Sequence, residues 1–270
     1  MTEKPLLSII LAAIRQSEWD RHYDSLKNST KKSFELIICS PKPLTEYLQN
    51  KNNVKYVKDY GSPSRAYMIA SSLAEGELIT WSADDAIYNP GSLDVLIDNL
   101  LSMPKNIKNV STGKYTEGRA NSSRAMHIFS SDSYYKINGG DDIGRPCTSS
   151  KYLPDDWYIF NAAVMYREYF EYLGGIDCGY EHAAMADTDL AIRAQLDGAI
   201  VKLDNVIVYD CVQFQEDHVS VDSANLDVDI PKIQNKYQNP EWKKNINIRL
   251  NISEWKNFPS VWKRRFGDIL

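Results

Sequence analysis

The sequence lacks the closely spaced cysteines that zinc sites and disulfide-rich scaffolds need. Its four cysteines are scattered along 270 residues, and no two of them form a Cys-x-x-Cys pair. Structural zinc sites usually draw their thiolates from such pairs, and disulfide frameworks are typical of short secreted chains. We therefore expect all four cysteines to be reduced and structural: Cys39, Cys147, Cys178 and Cys211.

Long apolar runs are also missing. No stretch approaches the roughly 20 apolar residues that span a bilayer. The short apolar run at residues 6–14 follows Lys4 but has neither a strongly basic start nor a small-residue cleavage site, so it does not fit a signal peptide. We interpret this run as a buried first strand and predict a cytoplasmic protein, with peripheral contact to the inner face of a membrane as an alternative.

The charge is small in total but unevenly distributed. The formal net charge is −5, which gives no reason to expect a nucleic acid partner. Residues 231–270 carry +6, whereas residues 1–230 carry −11. This basic segment is also aromatic, with Trp255, Phe258 and Trp262 among its residues. We favour an interpretation in which the aromatic side chains dock it onto the rest of the protein, and the alternative is contact with an anionic membrane.

Strand-like and helix-like patterns alternate along the first hundred residues. A helix is indicated by Ser62-Pro63 as its start and by an apolar stripe at Ala66, Ile69 and Leu73. Continuous apolar runs are typical of strands that are covered on both faces. The sequence therefore predicts an α/β fold with a mostly parallel, Rossmann-like sheet flanked by helices. The predicted strands are residues 6–13, 34–39, 54–57 and 78–81.

The regular alternation ends near residue 106, which suggests two halves. Residues 111–157 are rich in Ser, Gly, Asn and Asp, and regularity returns at residues 166–173. A further helix is predicted at about residues 187–196, followed by two short strands at 200–203 and 206–209. We predict one domain at residues 1–230, with halves at 1–105 and 106–230. A helical, basic and aromatic extension follows at residues 231–270.

Two adjacent carboxylates follow the fourth predicted strand. The sequence there is Ser82-Ala83-Asp84-Asp85, and ligands of open parallel sheets bind beyond the carboxyl ends of the strands. Neighbouring carboxylates repel each other, which favours a compensating cation, and hard oxygen ligands favour Mg²⁺ or Mn²⁺. The alternative is a turn in which both aspartates are simply solvated.

A second carboxylate pair lies at the predicted start of the helix at residues 187–196. Asp187 and Asp189 could cap the helix or interact favourably with its dipole, which is the commoner role of an acidic residue there. Alternatively, one of them is a general base that removes a proton from an attacking hydroxyl. Spacing alone does not separate these two interpretations.

Four segments, in the correct order, resemble the motifs of family 2 glycosyltransferases with the GT-A fold. The strand end Ser82-Ala83-Asp84-Asp85 resembles the metal-binding Asp-x-Asp region of that family. The other three are Asp59-Tyr60-Gly61-Ser62-Pro63-Ser64-Arg65-Ala66 with Ala74-Glu75-Gly76-Glu77-Leu78-Ile79, then Leu173-Gly174-Gly175-Ile176-Asp177, and Asp187-Thr188-Asp189-Leu190-Ala191-Ile192-Arg193. The resemblance covers about residues 7–209.

The resemblance implies transfer of a sugar, with inversion, from a nucleotide-sugar donor to a saccharide or lipid-linked acceptor, as in polysaccharide biosynthesis. It implies one Mn²⁺ or Mg²⁺ ion held by Asp84 and Asp85, with Asp84 also near the donor's ribose or diphosphate. Asp187 would be the base that deprotonates the acceptor hydroxyl. Residues 1–105 would bind the nucleotide and residues 106–230 the acceptor.

Further donor contacts are implied at three positions. Arg65 would lie near the nucleotide phosphates, and the positions after the first and second strands that would contact the nucleotide hold Ala12 and Ser40. The family usually has a small polar residue after the first strand, where this chain has Ala12, and an acidic residue after the second strand, where it has Ser40. His218 is a candidate ligand of the metal, with a surface position as the alternative.

Two other functions compete with sugar transfer. A nucleotidyltransferase that makes sugar nucleotides would have a Gly-rich, basic loop after the first strand, whereas this chain has Ala12-Ala13-Ile14-Arg15. A non-catalytic, carbohydrate-binding relative of the fold is suggested by Ala186, which stands where the family has Glu, and by Ser82, which stands where it has Asp.

Overall fold

The computed structural model describes residues 4–117, 126–129, 134–137, 143–145, 157–160, 162–212, 223–237 and 241–267. The described part is an α/β fold in which helices flank one curled, mixed sheet. The strands are β1 Leu7–Ala12, β2 Phe34–Ser40, β3 Val54–Lys58, β4 Leu78–Ala83, β5 Ala86–Tyr88, β6 Asn109–Glu117, β7 Met126–Phe129, β8 Tyr134–Ile137, β9 Ile143–Arg145, β10 Ala162–Tyr166 and β11 Ile200–Cys211.

The helices lie between these strands and along the basic C-terminal segment. Short 3₁₀ turns at Gln16–Glu18 and Glu254–Asn257 and a π turn at Asn225–Asp229 accompany them. The α-helices are α1 Trp19–Ser29, α2 Glu46–Gln49, α3 Pro63–Ser71, α4 Ser92–Ser102, α5 Arg167–Tyr172, α6 Ala183–Leu196, α7 Ile230–Tyr237, α8 Trp242–Asn245 and α9 Lys263–Phe266.

The strand order of the sheet is β3-β2-β1-β4-β10-β6-β7-β8-β9, and β11 pairs with β6 and β5. The strands β3, β2, β1 and β4 are all parallel, as the alternating pattern predicts. Beyond β4 the sheet is mixed, since β10 runs antiparallel to both β4 and β6. The prediction of a mostly parallel sheet therefore describes the first half of the chain and not the described sheet as a whole.

The two short strands predicted at residues 200–203 and 206–209 form one strand, β11, with a register shift between Leu203 and Ile207. An irregularity of this kind bends the strand, and here β11 pairs parallel with β6 and antiparallel with β5. Polar residues separate the two apolar runs in the sequence, but pairing to β6 on both sides of the shift keeps them in one strand.

Helices cover both faces of the parallel strands. Alternate residues of β1 lie in two separate apolar clusters, with Ile10 in one and Ile9 and Leu11 in the other. Helices α3, α5, α6 and α7 contribute to the first cluster, and helices α1 and α4 contribute to the second. Burial on both faces explains why β1 is a continuous apolar run.

Helix α3 begins where the sequence predicts. Ser62 is its N-cap, with the side-chain oxygen accepting a hydrogen bond from the backbone N–H of Arg65 at 3.4 Å, and Pro63 is its first residue. Helix α6 begins earlier than predicted, at Ala183, so Asp187 lies in the helix and does not cap it.

A buried ion pair connects α6 to two other segments. Arg193 Nε lies 2.7 Å from Asp189 Oδ2, and both side chains are completely buried. The guanidinium of Arg193 also donates to the carbonyl oxygens of Leu173 and Gly175, in the turn that follows α5. The segments at residues 173–177 and 187–193 therefore meet through one arginine.

The turn after α5 needs glycine. Gly174 and Gly175 have φ values of +76° and +67°, which favour glycine over residues with a side chain. A Cβ atom on Gly174 would lie 2.1 Å from the carbonyl oxygen of Leu250, so the turn also allows close contact with the C-terminal segment.

The other oxygen of Asp189 completes the network. It accepts hydrogen bonds from the Tyr237 hydroxyl at 2.6 Å and from the Lys236 ammonium, both on α7. Although burial alone would raise the pKa of Asp189, the positive charges of Arg193 and Lys236 outweigh it and hold the pKa well below its usual range. Asp189 is therefore ionised, and its role is to hold α6, α7 and the turn after α5 together.

The described part of the basic C-terminal segment packs against the rest of the protein. Ile233 and Tyr237 are fully buried, and Trp242 and Trp262 are 4% and 8% exposed. Lys256 and Lys263 remain exposed. The burial of these apolar and aromatic side chains agrees with the favoured interpretation, in which they dock the segment onto the rest of the protein.

Asp189→Asn is expected to destabilise the fold by about 3–5 kcal/mol, because it leaves the buried guanidinium of Arg193 without its counter-charge. Urea unfolding at neutral pH measures this change. The matched control is Glu171→Gln, which removes the solvent-exposed pair with Arg167 and should cost less than about 1 kcal/mol. Equal stability of Asp189→Asn and the wild type would contradict the structural role of the pair.

Candidate active site

A cavity of about 390 Å³ lies beyond the carboxyl ends of β1, β2 and β4. This is the edge of the sheet at which the sequence predicts a ligand. Side chains from the ends of β6 and β11, from the start of α6 and from the C-terminal segment complete its walls. Residues of the wall include Ala12, Arg15, Trp81, Asp84, Asp85, Glu117, His182, Asp187, Cys211, Trp262, Arg265 and Phe266.

Asp84 follows the last residue of β4 and is 2% exposed. Its Oδ2 atom accepts hydrogen bonds from the backbone N–H groups of Ile14 and Arg15, at 2.7 and 2.6 Å. Its Oδ1 atom accepts a hydrogen bond from the guanidinium of Arg15. The loop after β1 is therefore wrapped around this one carboxylate.

Arg15 lies against both carboxylates of the doublet. Its Nη1 atom contacts Asp84 and is 3.8 Å from Asp85 Oδ1. Burial favours loss of the arginine proton, but the attraction of Asp84 and Asp85 outweighs it and raises the pKa of Arg15. The compensating cation that the adjacent carboxylates favour is thus present within the chain, as a permanently charged side chain.

The carboxylates in this arrangement do not fit the divalent ion that the resemblance implies. Mg²⁺ and Mn²⁺ need several oxygen ligands directed at one point. Both oxygens of Asp84 accept N–H donors, and the guanidinium of Arg15 contacts it and lies near Asp85. His218, a candidate ligand of the metal, lies outside the residues that the structure describes.

Asp187 is the second acidic element of the cavity. It lies on α6 and is 8% exposed. Burial raises the pKa of its carboxyl well above the usual value, and the Trp81 indole offsets only part of that rise. Neither Asp187 Oδ1 nor Trp81 Nε1 has a partner that meets hydrogen-bond geometry among the described residues. The carboxyl is therefore buried, lines the cavity and keeps one oxygen without a partner there.

The two carboxylates of α6 have separate positions. Asp187 lines the cavity, whereas Asp189 is held in the ion network with Arg193 and Lys236. The sequence leaves open which of the pair could act as a base. The structure makes Asp187 the one that a substrate in the cavity could reach.

Of the three residues predicted to contact the donor, one lines the cavity and two do not. Ala12 lines the cavity. Ser40 is buried beside it, and its hydroxyl accepts a hydrogen bond from the backbone N–H of Lys42 at 3.0 Å. Neither Ser40 nor Arg65 is among the cavity-lining residues.

The guanidinium of Arg65 is engaged by the protein itself. It pairs with Asp59 at 3.1 Å and donates to the carbonyl oxygens of Trp255 and Phe258. The residue is 7% exposed. Arg65 therefore anchors the C-terminal segment, and the predicted contact with the nucleotide phosphates has no support in this geometry.

Several residues of the cavity have no role that the sequence pattern predicts. Arg15 lies in the loop after the first strand, and Arg265 and Phe266 belong to the basic segment at residues 231–270. Arg15 lies three positions after the end of β1, and a basic residue so close to a strand end predicts a position at the ligand edge of the sheet. The position of α9 depends on contacts with Tyr60, since Trp262 N–H donates to the Tyr60 carbonyl at 2.8 Å, and no local pattern reveals it.

Comparisons with known proteins do not assign a family. No protein-family model matches the sequence, and a search of curated proteins finds no significant match. Within the part of the chain that the structure describes, no helix is both long and apolar enough to cross a lipid bilayer.

Asp187→Asn is expected to stabilise the protein at pH 8 and not at pH 4. Because burial raises the pKa in the folded state, the folded protein binds this proton more tightly than the unfolded chain. The free energy of unfolding therefore falls as the pH rises from the pKa of the unfolded chain to that of the folded protein, and it stays lowered above that pH. We expect the Tm at pH 8 to rise by at least about 2 °C.

Thermal unfolding between pH 4 and pH 8 measures this difference. The matched control is Asp98→Asn, since the Asp98 side chain is 61% exposed and outside the cavity. A lower Tm for Asp187→Asn than for the wild type at pH 8 would contradict the assignment of a buried, unpaired carboxyl.

Proposed function

We propose that the protein is an inverting glycosyltransferase with a GT-A-type fold, which transfers a sugar from a nucleoside-diphosphate donor to a saccharide or lipid-linked acceptor. The observation that carries the proposal is the buried carboxyl of Asp187, in the same cavity as the doublet Asp84 and Asp85. The parallel order β3-β2-β1-β4, with the cavity at the carboxyl ends of β1, β2 and β4, supports it.

Asp187 is the proposed general base. An acceptor hydroxyl loses its proton to the carboxylate as its oxygen bonds to the anomeric carbon of the donor sugar. The bond between that carbon and the diphosphate oxygen breaks on the opposite face, which inverts the anomeric configuration. Burial raises the pKa of this carboxyl, so its carboxylate is a stronger base than that of a solvated aspartate.

The departing nucleoside diphosphate needs positive charge close to its oxygens. In the GT-A glycosyltransferases that the sequence resembles, a divalent ion supplies this positive charge. In this cavity Arg15 and Arg265 are cationic side chains of the wall, and His182 lies beside α6. The proposed transfer therefore requires no contribution from Arg65.

Asp187→Asn is expected to lower sugar transfer by about 10²–10⁴-fold while nucleotide binding is retained, because only the base is lost. Release of nucleoside diphosphate from a panel of UDP-, GDP- and dTDP-sugars, with mono- and oligosaccharide acceptors, measures transfer. The wild-type rate should fall as the pH drops through the raised pKa of Asp187, which lies above the usual aspartate range.

Asp98→Asn is the matched control and should keep the wild-type rate. Transfer by Asp187→Asn at the wild-type rate would remove Asp187 from the mechanism. Binding of sugars without release of any nucleoside diphosphate would favour a carbohydrate-binding protein, and release of pyrophosphate from a nucleoside triphosphate would favour a nucleotidyltransferase.

A further inference from the structure

We infer that the donor's diphosphate is held by two arginines, Arg15 and Arg265, in place of a divalent metal ion. The inference rests on the proposed function and concerns how the same cavity binds its donor. It disagrees with the metal dependence that the sequence resemblance implies.

Arg15 occupies the cation position of the carboxylate doublet. Its guanidinium is in contact with Asp84 and 3.8 Å from Asp85, and the two backbone N–H groups on Asp84 fix the loop that carries it. A divalent ion at this position would have to displace the guanidinium from a carboxylate that is 2% exposed. The Arg15 side chain is itself 23% exposed, and the residue lines the cavity.

Arg265 reaches the same cavity from the C-terminal segment. Helix α9 is held against Tyr60 by a backbone bridge to Val261 and by an edge contact with Phe266, at 5.7 Å between ring centroids. Arg265 lines the cavity. Its neighbour Arg264 is not among the lining residues and pairs with Glu181 and Asp227.

Neither Lys263 nor Arg264 lines the cavity. Of the three basic residues that begin α9, the fold therefore brings one to the ligand side. Its contribution depends on how α9 docks and not on the overall charge of the basic segment.

The two guanidinium groups carry the same total charge as one divalent ion. Planar guanidinium groups donate pairs of N–H groups that match phosphate oxygens, and hydrogen bonds between ionised partners are stronger than neutral ones. Arg15 also neutralises part of the carboxylate charge that would repel a diphosphate. The wall also holds Asp59, Glu117 and the doublet Asp84 and Asp85, so a diphosphate would bind through direct contacts with the two arginines and not through an overall positive charge of the cavity.

Calorimetric titration of the full chain with UDP, GDP and inorganic pyrophosphate, in EDTA and in Mn²⁺, tests the inference. We expect at least one of these probes to bind in EDTA, with an affinity that Mn²⁺ changes by less than about twofold. Arg265→Gln should weaken binding by about tenfold or more, the loss of a charged hydrogen bond. Lys263→Gln, on the same helix, should leave it unchanged.

Arg15→Gln provides a second, independent measurement. It removes the resident cation, so Mn²⁺ should raise the Tm of this variant and leave the Tm of the wild type unchanged. The matched control is Arg21→Gln, whose side chain is 47% exposed and pairs with Glu18. If Arg15→Gln does not fold, the wild-type titrations in EDTA and Mn²⁺ still decide the question.

The outcomes separate this inference from the proposed function. Binding and sugar transfer that occur only in Mn²⁺ would overturn the two-arginine site and leave the glycosyltransferase proposal in place. Binding of no probe in either condition would overturn both. Binding in EDTA that Arg265→Gln and Lys263→Gln weaken equally would overturn the role of Arg265.

Discussion

The arrangement of the cavity depends on the buried ion pair between Asp189 and Arg193. Two buried charges are tolerated here because each also has hydrogen-bond partners. Arg193 donates to the turn carbonyls after α5, and Asp189 accepts hydrogen bonds from Lys236 and Tyr237 of α7. This network sets the rotation of α6. With Asp189 turned into the core, Asp187, two residues earlier, lies at the cavity.

Local patterns in the sequence predicted the parallel half of the fold well. Apolar runs identified β1, β2 and β4, a shorter segment identified β3, and the Ser62-Pro63 start identified α3. The mixed half was not predicted, because strand direction depends on which strands pair and not on the residues within one strand. The single strand β11 is an example, since pairing with β6 overrides the polar residues in its middle.

The structure brings the predicted acidic residues of the described part together in one cavity and places the predicted basic residue elsewhere. Asp84, Asp85 and Asp187 come together in one cavity because each lies near the end of a strand or the start of a helix, where topology fixes its position. Arginine side chains are long, and their contacts depend on distant segments. Arg65 was expected at the ligand but anchors the C-terminal segment, whereas Arg265 was expected outside and lines the cavity.

The anchor formed by Arg65 has a consequence for folding kinetics. The hydrogen bond from its guanidinium to the Trp255 carbonyl joins residues that are 190 positions apart in the sequence. Contacts between distant residues form slowly, because the intervening chain must be ordered before they can hold. The strands β1 to β4 can assemble earlier, through closer contacts. The part of the cavity wall that the C-terminal segment forms is therefore complete only once the chain between Arg65 and Trp255 has been ordered.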